Sequence, residues 1–114
     1  MPAWDRIAIT KDGTSVELYY RTVEERGLRK AWVRYTQRVS KDLVKRTVAY
    51  EAFDCNAGRS MTITSTEYRN GQFVSSTPAV ADDAIPHFLQ PIIPESVGDD
   101  VKSVVCFVYL SETR

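Results

Sequence analysis

The sequence predicts an α+β fold: an antiparallel meander sheet of about six strands, with a C-terminal helix packed on one face and tethered there by a disulfide. Three observations point to it. Successive short stretches alternate apolar and polar residues with the two-residue period of a β-strand, and Asp12-Gly13 and Asn70-Gly71 lie between such stretches as hairpin turn signals. Only the stretch after Ser96 spaces its apolar residues as a helix does. The two cysteines, Cys55 and Cys106, close a predicted strand and lie in that final helical stretch.

Trp4 to Ile9 reads as the first strand, with Ile7 and Ile9 directed inward. A two-residue type I′ turn at Asp12-Gly13 would place Ile9 opposite Val16 and Ile7 opposite Leu18. Residues 21–27 (RTVEERG) read as a polar connection ending at Gly27. Leu28 to Gln37 is the next strand, with Ala31, Val33 and Tyr35 on one face and Trp32, Arg34 and Thr36 on the other. Arg38 to Lys45 reads as a polar loop.

Thr47 to Cys55 (TVAYEAFDC) organises the rest. Glu51, Phe53 and Cys55 share one face, and alternation resumes at Met61 after the turn signal Asn56-Ala57-Gly58. If Cys55 lies near Arg59, Phe53 opposes Met61 and Glu51 opposes Ile63. The proposed disulfide then fastens the C-terminal helix onto the Phe53/Met61/Ile63 face. Asn70-Gly71 sets Tyr68 opposite Phe73 as an aromatic cross-strand pair. From Ser75 to Pro94 four prolines (Pro78, Pro86, Pro91 and Pro94) break regular structure. That leaves a long surface loop of the kind that carries binding function.

Ser96 and Asp99 have the spacing of a capping box. Val97, Val101, Val104, Val105 and Val108 then form an apolar stripe. Cys106 falls off the stripe, so either the helix stops near Val105 and the chain turns back, or the two cysteines do not pair. A Cys55–Cys106 bond would close a loop of about 50 residues, worth about 4 kcal/mol in the chain-entropy view.

At 114 residues the chain is expected to form a single domain, residues 1–114. Its 15 basic and 15 acidic side chains leave no net charge to suggest a nucleic-acid partner. Residues 21–46 carry a net charge of +6 and residues 80–112 one of −5. Such runs are ordinarily solvated faces; the functional alternative is a patch for an anionic partner or a contact between copies, with Arg29, Lys30 and Arg34 as the candidate binding residues. No apolar run is long enough to span a membrane as a helix. Met1-Pro2-Ala3 is compatible with a cytosolic start or with a processed chain given a new methionine.

Little points to catalysis. The single histidine, His87, has no second histidine or CxxC to complete a zinc site, and GxSxG, P-loop and GxGxxG motifs are missing. Asp82-Asp83 and Asp99-Asp100 are adjacent in sequence and are expected to point apart. Glu51, on an apolar face, is expected to pair with an arginine such as Arg59 or Arg34. No catalytic residue, metal or cofactor is assigned.

Taken together, Trp4, Asp12-Gly13, Val16-Glu17-Leu18-Tyr19, Gly27, Ala31-Trp32-Val33, Tyr50 through Cys55, and Ile93-Pro94-Glu95-Ser96-Val97-Gly98 through Val105-Cys106 resemble, in order and spacing, the bacterial surface-adhesin protein E family. The resemblance spans Trp4 to Cys106 and is most specific in the two segments that end in cysteine. It implies a disulfide-tethered helix on an antiparallel sheet, in the periplasm, at the outer-membrane surface or secreted, often lipid-anchored. It also implies non-enzymatic binding of host extracellular-matrix proteins such as laminin and vitronectin, and a capacity to form homodimers. The chain departs from the family by continuing eight residues past Cys106. The alternative role is a periplasmic carrier holding a small apolar ligand between helix and sheet.

Overall fold

The computed structural model describes residues 3–107 and the backbone of 111–113. The described strands are β1 (Trp4–Ile9), β2 (Ser15–Tyr19), β3 (Thr22–Glu25), β4 (Leu28–Ser40), β5 (Leu43–Asp54), β6 (Arg59–Arg69), β7 (Gln72–Ser76), β8 (Gln90–Pro91) and β9 (Ser111–Thr113). Two helices join them, α1 (Ile85–Phe88) and α2 (Val97–Phe107). The main path of the sheet runs β1-β2-β4-β5-β6-β7 and is antiparallel throughout. The predicted class therefore holds, but there are more than six strands.

The additional strands come from segments that read as loops. Residues 22–25 are polar, yet they pair with β4 through a two-residue turn at Arg26 and Gly27, both at positive φ (54° and 77°). β2 and β3 run end to end along β4, separated by Tyr20 and Arg21. At that break the outer neighbour changes from β1, antiparallel, to β9, parallel. Residues 38–45 are not a loop: β4 continues to Ser40 and β5 begins at Leu43, leaving Lys41 and Asp42 as the turn. Such a ladder tolerates polar side chains because both of its faces meet solvent there.

Two predicted registers are corrected. At the first hairpin, Ala8 opposes Val16 and Ile9 opposes Ser15, with a bulge at Ile7. The turn is not type I′; it is the longer Thr10–Thr14 loop, closed by the Thr10 N–H on the Thr14 carbonyl at 2.9 Å. The Asp12 carboxylate accepts hydrogen bonds from Thr10 Oγ1, Thr14 N and Thr14 Oγ1, which holds its pKa below the usual carboxylate range. At the second hairpin, Asp54 opposes Arg59, so Met61 opposes Ala52 and Ser60 opposes Phe53. A one-residue slip moves side chains to the other face. Met61 is thereby removed from Phe53's face, and a bulge opposite Tyr50 and Glu51 absorbs the difference. By contrast, Asn70 and Gly71 form the expected turn, at φ 49° and 81°. Tyr68 and Phe73 meet edge-on across it, with centroids 6.4 Å apart.

The sheet buries opposite faces at different places. On the face of Phe53, α2 packs Val101 and Val105 against Val16, Leu18, Ala31, Val33 and Phe53. On the opposite face, Ile85 of α1 packs with Leu28, Ala52 and Ile63, while Met61, Val80 and Leu89 flank this second cluster. α2 thus covers Phe53 without Met61 and Ile63, which the loop between β7 and α2 covers instead. That loop is anchored by Val80 N–H on the Ile63 carbonyl at 3.0 Å and by β8 on β6.

The cap of α2 forms as expected, since Ser96 Oγ accepts from Asp99 N at 3.2 Å. The Asp99 carboxylate reaches back to Glu95 N at 3.0 Å, one residue before the usual partner. The helix does not stop before Cys106. It continues to Phe107, and Cys106 lies on its flank, joined to Cys55 with Cα atoms 5.8 Å apart. One residue turns a helix by about 100°, so a cysteine beside a core valine faces along the sheet toward the end of β5. Val108, assigned to the stripe, lies outside the described residues.

Candidate functional site

Of the sequence-predicted site residues, Cys55 and Cys106 are brought together and Arg29, Lys30 and Arg34 are not. Arg29 and Lys30 are consecutive on β4 and therefore point to opposite faces. The Arg29 guanidinium donates to the carbonyls of Val105 and Cys106 at 3.0 and 3.1 Å, capping the C-terminal end of α2, where a cation is favoured. Lys30 is only 5 % exposed and lies 3.3 Å from Glu25 and 3.6 Å from Asp82 of the covering loop. Arg34 binds both oxygens of Glu17, at 2.9 and 3.0 Å, and lies over the Trp4 ring at 4.4 Å from its centroid. Each of the three cations serves an internal contact.

Glu51 is corrected as well. Its partner is not an arginine: the Tyr35 hydroxyl donates to it at 2.7 Å on the α2 side of the sheet. Burial pushes the Glu51 pKa up, against the lowering effect of that hydrogen bond. Burial and the neighbouring carboxylate raise the Tyr35 pKa too. Neither residue lines any of the three cavities described below.

The largest of these cavities, about 670 Å³, lies where the covering loop meets β3, β4 and the end of β5. Lys30, Glu25, Asp54, Asp82 and Asp83 line it. Asp82 and Asp83, expected to diverge, both face it because they sit in a turn rather than a strand or helix. Lys30 is already shared by two carboxylates, so the cavity is a braced junction. A smaller cavity, about 290 Å³, lies beneath Phe88 and Val80. Among the described residues no group of three or more potential ligands could hold a metal ion, and His87 is exposed on α1.

The most developed site is a groove of about 500 Å³ on the face opposite α2, beyond the reach of the covering loop. In strand order it is lined by Trp4 (β1), Arg34 (β4), Val44, Arg46 and Val48 (β5) and Tyr68 (β6), and closed by Asn70 and Gly71. The pairings Arg34–Val48 and Arg46–Tyr68 place guanidinium beside apolar wall twice. Asn70 ties the two turns together: Oδ1 accepts from Val44 N and Nδ2 donates to the Asp42 carbonyl, each at 2.9 Å. Glu17 stands next to the groove, its pKa lowered first by the hydrogen bonds from Arg34, with the charges of Arg46 and Arg6 adding to the effect. Aromatic residues continue along this face, with Trp32 over Tyr50 at 4.7 Å and Tyr19 edge-on to Trp4 at 5.4 Å.

Sequence reading missed this groove because its walls lie 64 positions apart in the chain, at Trp4 and Tyr68. The available signal was the alternation Val44-Arg46-Val48 on one face, hidden by treating residues 38–45 as a loop. No family model, no curated protein and no solved structure matches the chain, so the likeness to the surface-adhesin protein E family rests on the residues quoted for it.

Proposed function

We propose that this chain is an exported, non-enzymatic binding module of adhesin-like character, which contacts other proteins with the uncovered part of the sheet face opposite α2. The observation that carries the reading is the aromatic row on that face. Trp32 is 39 % exposed and Phe73 64 %, Tyr50 packs against Trp32, and Arg34 and Arg46 line the groove with Trp4 and Tyr68. Aromatic residues and arginine on an open, rigid surface are the side chains that dominate protein interfaces. The Cys55–Cys106 bond supports export, because such bonds persist in oxidising compartments. Among the described residues no helix is long and apolar enough to cross a membrane. Host-matrix proteins are the partner class drawn from the family resemblance.

Arg29, Lys30 and Arg34 have internal partners, so the cationic part of the contact falls to Arg46. The space between α2 and the sheet is filled by Val101 and Val105, and the three cavities lie elsewhere. That packing favours the groove over the helix–sheet interface as the place for the small-ligand alternative.

Solid-phase binding to laminin and vitronectin at two ionic strengths tests the proposal. Trp32→Ser and Phe73→Ser are expected to weaken binding at least tenfold, and salt to weaken it in the wild type more than in Arg46→Ser. Unchanged binding in all three variants, or capture of a single-stranded oligonucleotide in place of protein, would overturn it.

A further inference from the structure

The groove between Trp4 and Tyr68 is short of one negative charge, and we infer that it is a binding site for a small ring-bearing carboxylate. Two guanidinium groups line it, those of Arg34 and Arg46, against the one carboxylate, Glu17, that stands beside it. Arg34 takes both Glu17 oxygens. Arg46 is exposed and donates Nε to Thr36 Oγ1 at 3.2 Å, and among the described residues no carboxylate lies within ion-pair distance of it. Arg46 lines a cavity of about 500 Å³, within the size range of small-ligand sites.

The rest of the lining selects the ligand's body. Val44 and Val48 make the lining apolar, and the aromatic side chains of Trp4 and Tyr68 add to it, a composition that favours an aromatic or alicyclic ring. One planar, forked donor in an apolar lining matches one planar carboxylate on an apolar ring. The inference does not depend on adhesion or export, although the same face serves both readings, so its test uses no protein partner.

The experiment compares 2-naphthoate with its neutral amide, 2-naphthamide, by isothermal titration on the full, disulfide-intact chain, with NMR shifts to locate the site. The carboxylate is expected to bind at least tenfold more tightly than the amide, with shifts concentrated at the Trp4 indole N–H and the amides of residues 44–48. Arg46→Met is expected to abolish that preference while leaving the amide's affinity unchanged. Equal binding of acid and amide, no binding of either, a preference that survives Arg46→Met, or shifts centred on the Lys30 cavity would each overturn the inference. Should Arg46→Met fail to fold, the acid–amide comparison and the shift map on the wild type still decide it. Loss of matrix-protein binding with retention of naphthoate binding would overturn adhesion alone.

Discussion

Replacing both cysteines by alanine tests how the terminal helix is held. The bond links residues 51 apart, and closing a loop of that length removes about 4 kcal/mol of unfolded-chain entropy. At about 2.1 cal/mol/K per residue, unfolding a chain of 114 residues carries an entropy near 0.24 kcal/mol/K, so the melting temperature should fall by about 17 °C. An 11-residue helix with four valines has weak intrinsic helicity and depends on its packing. Its remaining anchors are Val101 and Val105 in the core, the Ser96 cap, and Arg29 on its last carbonyls. Urea melts of wild type and Cys55→Ala/Cys106→Ala, followed by far-ultraviolet circular dichroism and tryptophan fluorescence, provide the measurement. A loss below about 1 kcal/mol with coincident transitions would refute the reasoning, because those packing contacts would then hold the helix without the bond's entropy.

Two further outcomes follow from the side-chain chemistry. Glu51 has a raised pKa in the folded chain, so the folded state holds its proton more tightly than the unfolded state. Stability therefore declines as pH climbs from the ordinary glutamate value to the raised one, and levels off above it. Glu51→Gln, which keeps an acceptor for Tyr35, should raise the melting temperature at pH 7 and flatten that decline; an unaltered pH profile would count against it. Asn70→Ala removes the side-chain bonds to Val44 N and to the Asp42 carbonyl, and takes away a residue type that tolerates positive φ. A loss of about 1–2 kcal/mol is expected in chemical denaturation, with hydrogen exchange rising at both the 41–42 and the 70–71 turns.

Much of the architecture could be read where a local rule has few competitors. Asn70-Gly71 fixes its turn because both central positions need positive φ, and Ser96/Asp99 fixes the start of α2. Alternation located Trp4–Ile9 and the core of β4 and β5, and two cysteines allow only one pairing within the chain. What was misread depends on counts of one or two residues. The Cys55–Gly58 loop is closed by Gly58 N on the Asp54 carbonyl, and this pairing, not the composition of the strands, decides that Met61 leaves the Phe53 face. β3 was hidden because it is polar and follows a break at Tyr20-Arg21. β9 was hidden because its partner in the sheet lies almost ninety positions earlier, beyond any local pattern. The groove suffers from the same distance: Trp4, Arg46 and Tyr68 become neighbours only when the sheet has formed and curved.

Arg29 and Lys30 give two consecutive residues of β4 an unusual responsibility. One clips the end of the helix on one side of the sheet, the other holds the long loop on the far side, and a single peptide bond separates them. Inserting one residue into the short span between Gly27 and Arg29 would exchange their directions, sending the lysine toward the helix and the arginine toward the loop. Both roofs of the building hang from adjacent nails, so the length of this span, more than the chemistry of either side chain, is what evolution or an engineer would be least free to alter.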